Sequence, residues 1–252
     1  MPLSSGASAE DEEPEGLSYG AVLLPAAAVD VGELKTLLRG IRFSGWLAPA
    51  SDGWVVVLGD PGDGVVADDR RGVIEVGAFL AEGMPGAVLA VRVRRDRQLA
   101  LVGWSDGVEV GRYCSDPSQE PGADKDVLPD PCGAEDADAL AALCGRDDAA
   151  ERLGELLAEE LDPGSVFESE RLGEVARLLG LPRWLVAAGE LPDDIPTGPR
   201  SRDLVHLRAG ATGAGARLRD APLRSLRRRQ QPPPVIADPP TGGGMDVEAW
   251  ML

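Results

Sequence analysis

The stretch AVLAVRVRRDRQLALVGWSDGVEVGRYC, residues 87–114, decides the fold. It holds three strand-like runs, Ala87–Arg94, Gln98–Trp104 and Val108–Cys114, flanking tight turns at Arg95–Arg97 and Ser105-Asp106-Gly107. The first run alternates its residues, as a strand with two distinct faces must. Turns this short join neighbouring strands without a crossover helix.

Working back toward the N-terminus, Gly53–Gly59 (GWVVVLG) has no polar alternation, so it reads as a strand buried on both faces near the middle of a sheet. Gly45–Pro49 pairs with it across Ser51-Asp52-Gly53, whose residue types suit a hairpin. Between these two strands and the 87–114 stretch, Val73, Val76, Gly77 and Leu80 carry a helical period that begins near Asp69–Gly72. Nearer the N-terminus, Tyr19–Pro25 is another short strand. Asp30 then caps a helix whose apolar stripe is Leu34, Leu37, Leu38 and Ile41. The order is β-α-β-β-α-β-β-β. That makes residues 18–118 an α+β (mixed α/β) domain, with an antiparallel or mixed sheet of about five to six strands and two helices packed on it. It lacks the strict strand–helix alternation of a doubly wound dinucleotide fold.

Toward the C-terminus, residues 119–133 continue a Pro-, Gly- and Asp-rich linker. Residues 134–198 read as a helical domain. One helix spans about Glu135–Cys144. A second begins at Asp148 and carries Leu153, Leu156, Leu157 and Leu161, stopped by Asp162-Pro163-Gly164. A third, with Ser165 and Glu168 as a capping box, carries Leu172, Val175, Ala176 and Leu179 and ends at Gly180. The string Leu172–Gly189 resembles helix-turn-helix DNA-binding proteins in the spacing of Ala176, Gly180 and Val186. That resemblance implies a recognition helix over Arg183–Ala188, but this has one basic side chain and no Asn or Gln to read a base edge.

Residues 1–17 are an acidic, aperiodic arm expected to be disordered, and residues 199–252 are a basic then Pro/Gly-rich tail expected to be flexible. Short helices are expected in that tail near Ser201–Arg208 and Leu218–Arg229. The charge follows this division. The chain has 25 basic and 43 acidic residues, a net of −18. Residues 1–198 hold 16 basic and 38 acidic residues, net −22, whereas residues 199–231 hold nine Arg against Asp203 and Asp220, net +7. An acidic body followed by a basic segment is the clearest feature of the sequence.

Composition excludes several chemistries. His206 is the single histidine, which removes any multi-histidine zinc site or two-histidine mechanism within one chain. Cys114, Cys132 and Cys144 form no C-x-x-C pair, and an odd count argues against a disulfide framework. Three free thiols suit a cytoplasmic location. No apolar run reaches the ~20 residues of a membrane-spanning helix.

The leading expectation is a non-enzymatic protein-interaction module of inhibitor, immunity or adaptor type, with a protein partner and no cofactor. Arg217, Arg219, Arg224, Arg227, Arg228 and Arg229 are its candidate binding residues, together with Trp250 near the C-terminus as an anchor for a partner groove. The same arginines suit nucleic acid or an anionic surface, or folding back onto the acidic body. The alternative is a Mg²⁺-dependent phosphoryl or nucleotidyl enzyme with Asp60, Asp63, Asp68 and Asp69 as metal ligands. A third reading is a nucleic-acid-associated regulator acting through the helical corner and the tail.

Overall fold

The computed structural model describes residues 16–160 and 167–242. Most of the acidic arm, the Leu161 and Asp162-Pro163-Gly164 helix stop, Ser165 and Trp250 lie outside the described residues.

Six strands follow the expected order: β1 (Tyr19–Pro25), β2 (Gly45–Leu47), β3 (Trp54–Gly59), β4 (Ala87–Arg94), β5 (Gln98–Ser105) and β6 (Val108–Cys114). Helix α1 (Val31–Gly40) lies between β1 and β2, and α2 (Val73–Gly83) between β3 and β4. A further strand, β7 (Val205–Leu207), comes from the basic segment. The result is a seven-stranded antiparallel sheet in the order β6-β5-β4-β1-β3-β2-β7. The fold is therefore α+β.

Local chemistry explains the hairpins. Asp52 and Gly53 both have positive φ (50° and 84°), as do Asp106 and Gly107 (48° and 81°). Two consecutive left-handed residues twist the backbone in the sense that joins right-twisted strands, which is why Asp-Gly sits at both turns. Asp30 caps α1 by accepting from the Gly32 amide at 2.7 Å. Glu75 reaches back to the Gly72 amide at 2.8 Å and so fixes the first turn of α2.

Side chains along each central strand go alternately to two apolar cores. On one face Val22, Val55, Val57, Ala90 and Val102 pack under α1 and α2. On the other, Leu23, Val56, Leu58, Leu89 and Leu101 pack under helices from residues 134–190. Those helices are α3 (Ala137–Leu143), α4 (Ala150–Ala158) and α5 (Glu168–Leu179), followed by a 3₁₀ helix, Arg183–Glu190. Leu140, Leu153, Leu157, Leu172 and Val175, all fully buried, share one core with the sheet. Burial on both faces accounts for the unbroken apolar run in β3.

The segment from residue 199 departs from a trailing tail. Instead of a helix over Ser201–Arg208, the chain makes one 3₁₀ turn (Ser201–Asp203) and then β7. Val-His-Leu alternates, and the open edge of β2 offers its backbone groups to complete a ladder. Gly210 then passes beside α1. Its amide bonds the Phe43 carbonyl at 2.7 Å, its φ is +75°, and an added Cβ would lie 2.7 Å from the Arg39 Cα. Only glycine fits there. Helix α6 (Ala214–Arg227) follows and carries Pro222 within it.

The proline-rich residues 230–242 form no helix or named strand and lie against the body. Val235 is buried, and its amide donates to Glu120 at 3.0 Å. Glu120 also forms a buried ion pair with Arg92 at 2.7 Å. Val127 and Thr241 bridge the linker to the same segment.

Candidate functional site

A cleft of about 720 Å³ opens at the β2–β7 edge of the sheet. Five pieces of chain wall it: Ser18 and Tyr19 at the start of β1, the loop after β3, the β2–β7 pair, residues 188–192, and α6. The register of the edge pair sets Trp46 opposite His206. Their rings stack with centroids 3.7 Å apart and planes 14° from parallel. Directly opposed side chains on paired strands are close enough for such contact. The loop can pass close to β1 because residue 62 is glycine; an added Cβ would lie 2.2 Å from the Tyr19 Cα.

Asp60 is the electrostatic centre of the cleft wall. Its Oδ2 lies 2.8 Å from Arg224 Nη2 and 3.8 Å from His206 Nε2. The His206 imidazole first, and then Arg224, hold the Asp60 carboxyl below its ordinary range against the opposing effect of burial. At 3.8 Å the imidazole is too far from Asp60 for a direct hydrogen bond. His206 Nε2 is buried with no hydrogen-bond partner among the described residues.

Arg224 also binds Asp220, Nε to Oδ2 at 3.1 Å. Asp220 is buried and accepts from the Ser44 hydroxyl at 2.9 Å. Ser44 Oγ in turn accepts from the Ala209 amide and from Arg227 Nη1, both at 3.0 Å. Arg227 is 6% exposed and completes its fork on the Val66 and Arg42 carbonyls and on Asp68 at 3.0 Å. A chain of charge-assisted hydrogen bonds thus latches α6 to the loops around β3.

This network redistributes the residues expected to bind a metal or a partner. Asp60 pairs with Arg224, Asp68 with Arg227 and Asp69 with Arg71, while Asp63 lines the cleft. The four aspartates therefore do not converge, and among the described residues no group of three His, Cys, Asp or Glu side chains is placed to hold a metal ion. The reason is local. Positive φ at Asp69 and Arg70 makes a tight turn that sends neighbouring carboxylates in different directions, each to its own arginine. Of the candidate partner-binding arginines, Arg224 and Arg227 are turned inward, Arg217 lines the cleft, and Arg228 and Arg229 are exposed. The side chain of Arg219 lies outside those described.

The helix-turn-helix string is a packing corner. Gly180 ends α5 in the left-handed conformation with φ 67°, and the following element is a 3₁₀ helix. Trp184, Leu185 and Ala188 of that element are buried in the sheet–helix core, where a base edge cannot reach them. Trp184 Nε1 donates to Ser51 Oγ at 3.0 Å.

All three thiols are free. Burial pushes Cys132 up to about 11 and Cys144 up to about 12, and raises Cys114 well above its usual value. Protonated thiols are poor nucleophiles, and none of the three lines the cleft.

The cleft leaves no signal in the sequence. Trp46, His206 and Arg208 carry no site signal in the sequence, because a three-residue strand leaves only the Val-His-Leu alternation to read. No family model, curated protein or solved structure matches the chain. No helix among the described residues is long and apolar enough to cross a membrane.

Proposed function

We propose that the protein is a non-enzymatic interaction module, of inhibitor, immunity or adaptor type, whose helical layer presents an acidic face to a basic partner. One observation carries this reading. In the C-terminal strap, residues 199–242, Arg202, Arg224 and Arg227 pair with Asp203, Asp60, Asp220 and Asp68, and among the described residues no strap arginine pairs with an acid of the helical layer. The exposed acids on and beside α4 thus stay in solvent while the strap is latched elsewhere.

Residues 134–198 hold 5 basic and 16 acidic residues, a net of −11. On and beside α4, Asp147, Glu151, Glu155, Glu159 and Glu160 are all exposed. Glu151 and Glu155 are spaced i,i+4, so like charges share one helix face and oppose helix stability by roughly 0.2–0.5 kcal/mol. Arg152, bound to Glu155 at 2.7 Å, offsets only part of this. A basic partner would relieve the repulsion and would be steered by it over a Debye length, about 8–10 Å at moderate salt.

The test uses an arginine-rich peptide as probe. Calorimetric titrations across a salt series would compare the wild type with E151Q/E155Q/E159Q and with D124N/D126N/D130N, which removes equal charge from the linker. The reading expects binding lost in the first variant and kept in the second. Equal weakening in both variants would show only non-specific attraction to a negative chain and would end the proposal.

A further inference from the structure

We propose that the cleft at the β2–β7 edge is a binding site for a small organic anion, whose carboxylate or phosphate oxygens are held by Arg208, Arg217 and His206. This stands apart from the acidic-face reading and shares no residue with it.

Size comes first. The cleft, at about 720 Å³, falls in the range of small-molecule sites, roughly 300–1,000 Å³. It is walled by a sheet edge, a loop, a helix and the 188–192 segment, so its shape is set by the fold.

Charge comes second. Four cationic or potentially cationic groups face the cleft: His206, Arg208, Arg217 and Arg224. Arg224 is neutralised by Asp60 and Asp220. Arg208 and Arg217 have no carboxylate partner among the described residues. Asp63 is the one acid of the wall outside the Arg224 network, so the uncompensated balance is two guanidiniums against one carboxylate. In a chain of net −18, carboxylates to pair with are abundant. Two arginines that face a cavity instead mark a local reversal of the protein's field. Their forked donors match the spacing of oxygens on carboxylate and phosphate.

The third observation is an orphaned polar atom. His206 Nε2 is buried without a hydrogen-bond partner, and its side chain is 16% exposed. The ring lies flat against Trp46, with centroids 3.7 Å apart. A buried polar group without a partner is unfavourable, and a ligand that drew an oxygen to Nε2 would relieve it.

The experiment is titration of the full chain with sodium pyrophosphate and, separately, with sodium citrate, each against sodium chloride at matched ionic strength. Binding is read by calorimetry and by tryptophan fluorescence, to which Trp46 at the cleft contributes. The proposal expects saturable binding of at least one anion. It expects at least tenfold weakening in R208A and in R217A, loss in the double variant, and no change in R152A on α4. Should the double alanine variant fail to fold, R208K/R217K keeps the charge but loses the fork and is expected to weaken binding several-fold. Saturation by pyrophosphate alone assigns a phosphorylated ligand, by citrate alone a polycarboxylate, and by both a general oxyanion site. Absence of saturable binding above the chloride control, or binding that survives both double variants undiminished, overturns the proposal.

Discussion

The helical layer and the C-terminal strap both lie on the same sheet, yet they are held by different forces. Helices α3–α5 are attached through leucine and valine side chains that are fully buried against β1, β3, β4 and β5. Such contact is non-directional, survives salt and follows from area removed from water. The strap, residues 199–242, adds few apolar anchors, among them Leu204, Leu207, Ala216 and Val235, while Leu218 (83%) and Leu226 (55%) face solvent. Its grip comes from Arg224 and Arg227, each bonded to several fixed acceptors, and from the ladder between β7 and β2. Contacts of that kind need particular partners, so they specify one docking position. They also respond to salt and acid, which the apolar layer does not.

R227A separates the two attachments most sharply. It removes four hydrogen bonds at once, to Asp68, Ser44 and the Val66 and Arg42 carbonyls, and at roughly 0.5–1.5 kcal/mol each, somewhat more to the charged Asp68, the loss sums to about 3–5 kcal/mol. Native-state hydrogen exchange should quicken at the Gly210 amide and along β7, while the amides of α3–α5 keep their protection. Uniform loss of protection would mean that the strap and the layer open as one unit.

The reciprocal change is L153A in the helical layer. A fully buried leucine truncated to alanine should cost about 2–5 kcal/mol, seen as a lower denaturant midpoint that is insensitive to added salt. A loss that shrinks with salt would contradict an apolar attachment.

Smaller and pH-dependent is the contribution of Asp60. Its carboxyl titrates lower in the folded protein than in the unfolded chain. The stability it contributes is therefore fully present above the unfolded carboxylate value, about 3.9, and is lost as pH falls through the lower folded value. D60N should weaken strap docking at neutral pH by about 1–2 kcal/mol, toward the low end for a hydrogen bond to a charged group because the Asp60 side chain is 32% exposed. It should also flatten the acid limb of the exchange rates in β7. An unchanged acid limb would place the sensitivity elsewhere.

Least of all is R152A. Its pair with Glu155 is exposed on both sides (71% and 59%), so stability should shift by less than about 0.5 kcal/mol in a thermal melt.

The first six strands and both intervening helices were legible because each carries a local signal: alternation in β4, an unbroken apolar run in β3, Asp-Gly at the turns, and a capping aspartate at α1. The same applies to α5, whose Gly180 ends it where the sequence places a helix stop. The cleft was not legible. Asp60 and Arg224 are 164 residues apart, and Trp46 meets His206 only because β7 closes the sheet edge. A pairing across that distance leaves no periodicity behind, and three residues of strand are too few to stand out.

The alternation of apolar side chains, the turn chemistry and the uneven sign of charge belong to the sequence alone. These follow from backbone sterics and from the insolubility of hydrocarbon, which act over a few residues. Which acid each arginine meets was decided only in three dimensions. Coulombic attraction names a sign but not a partner, and in a chain with 43 acidic residues the geometry of the sheet edge made the choice.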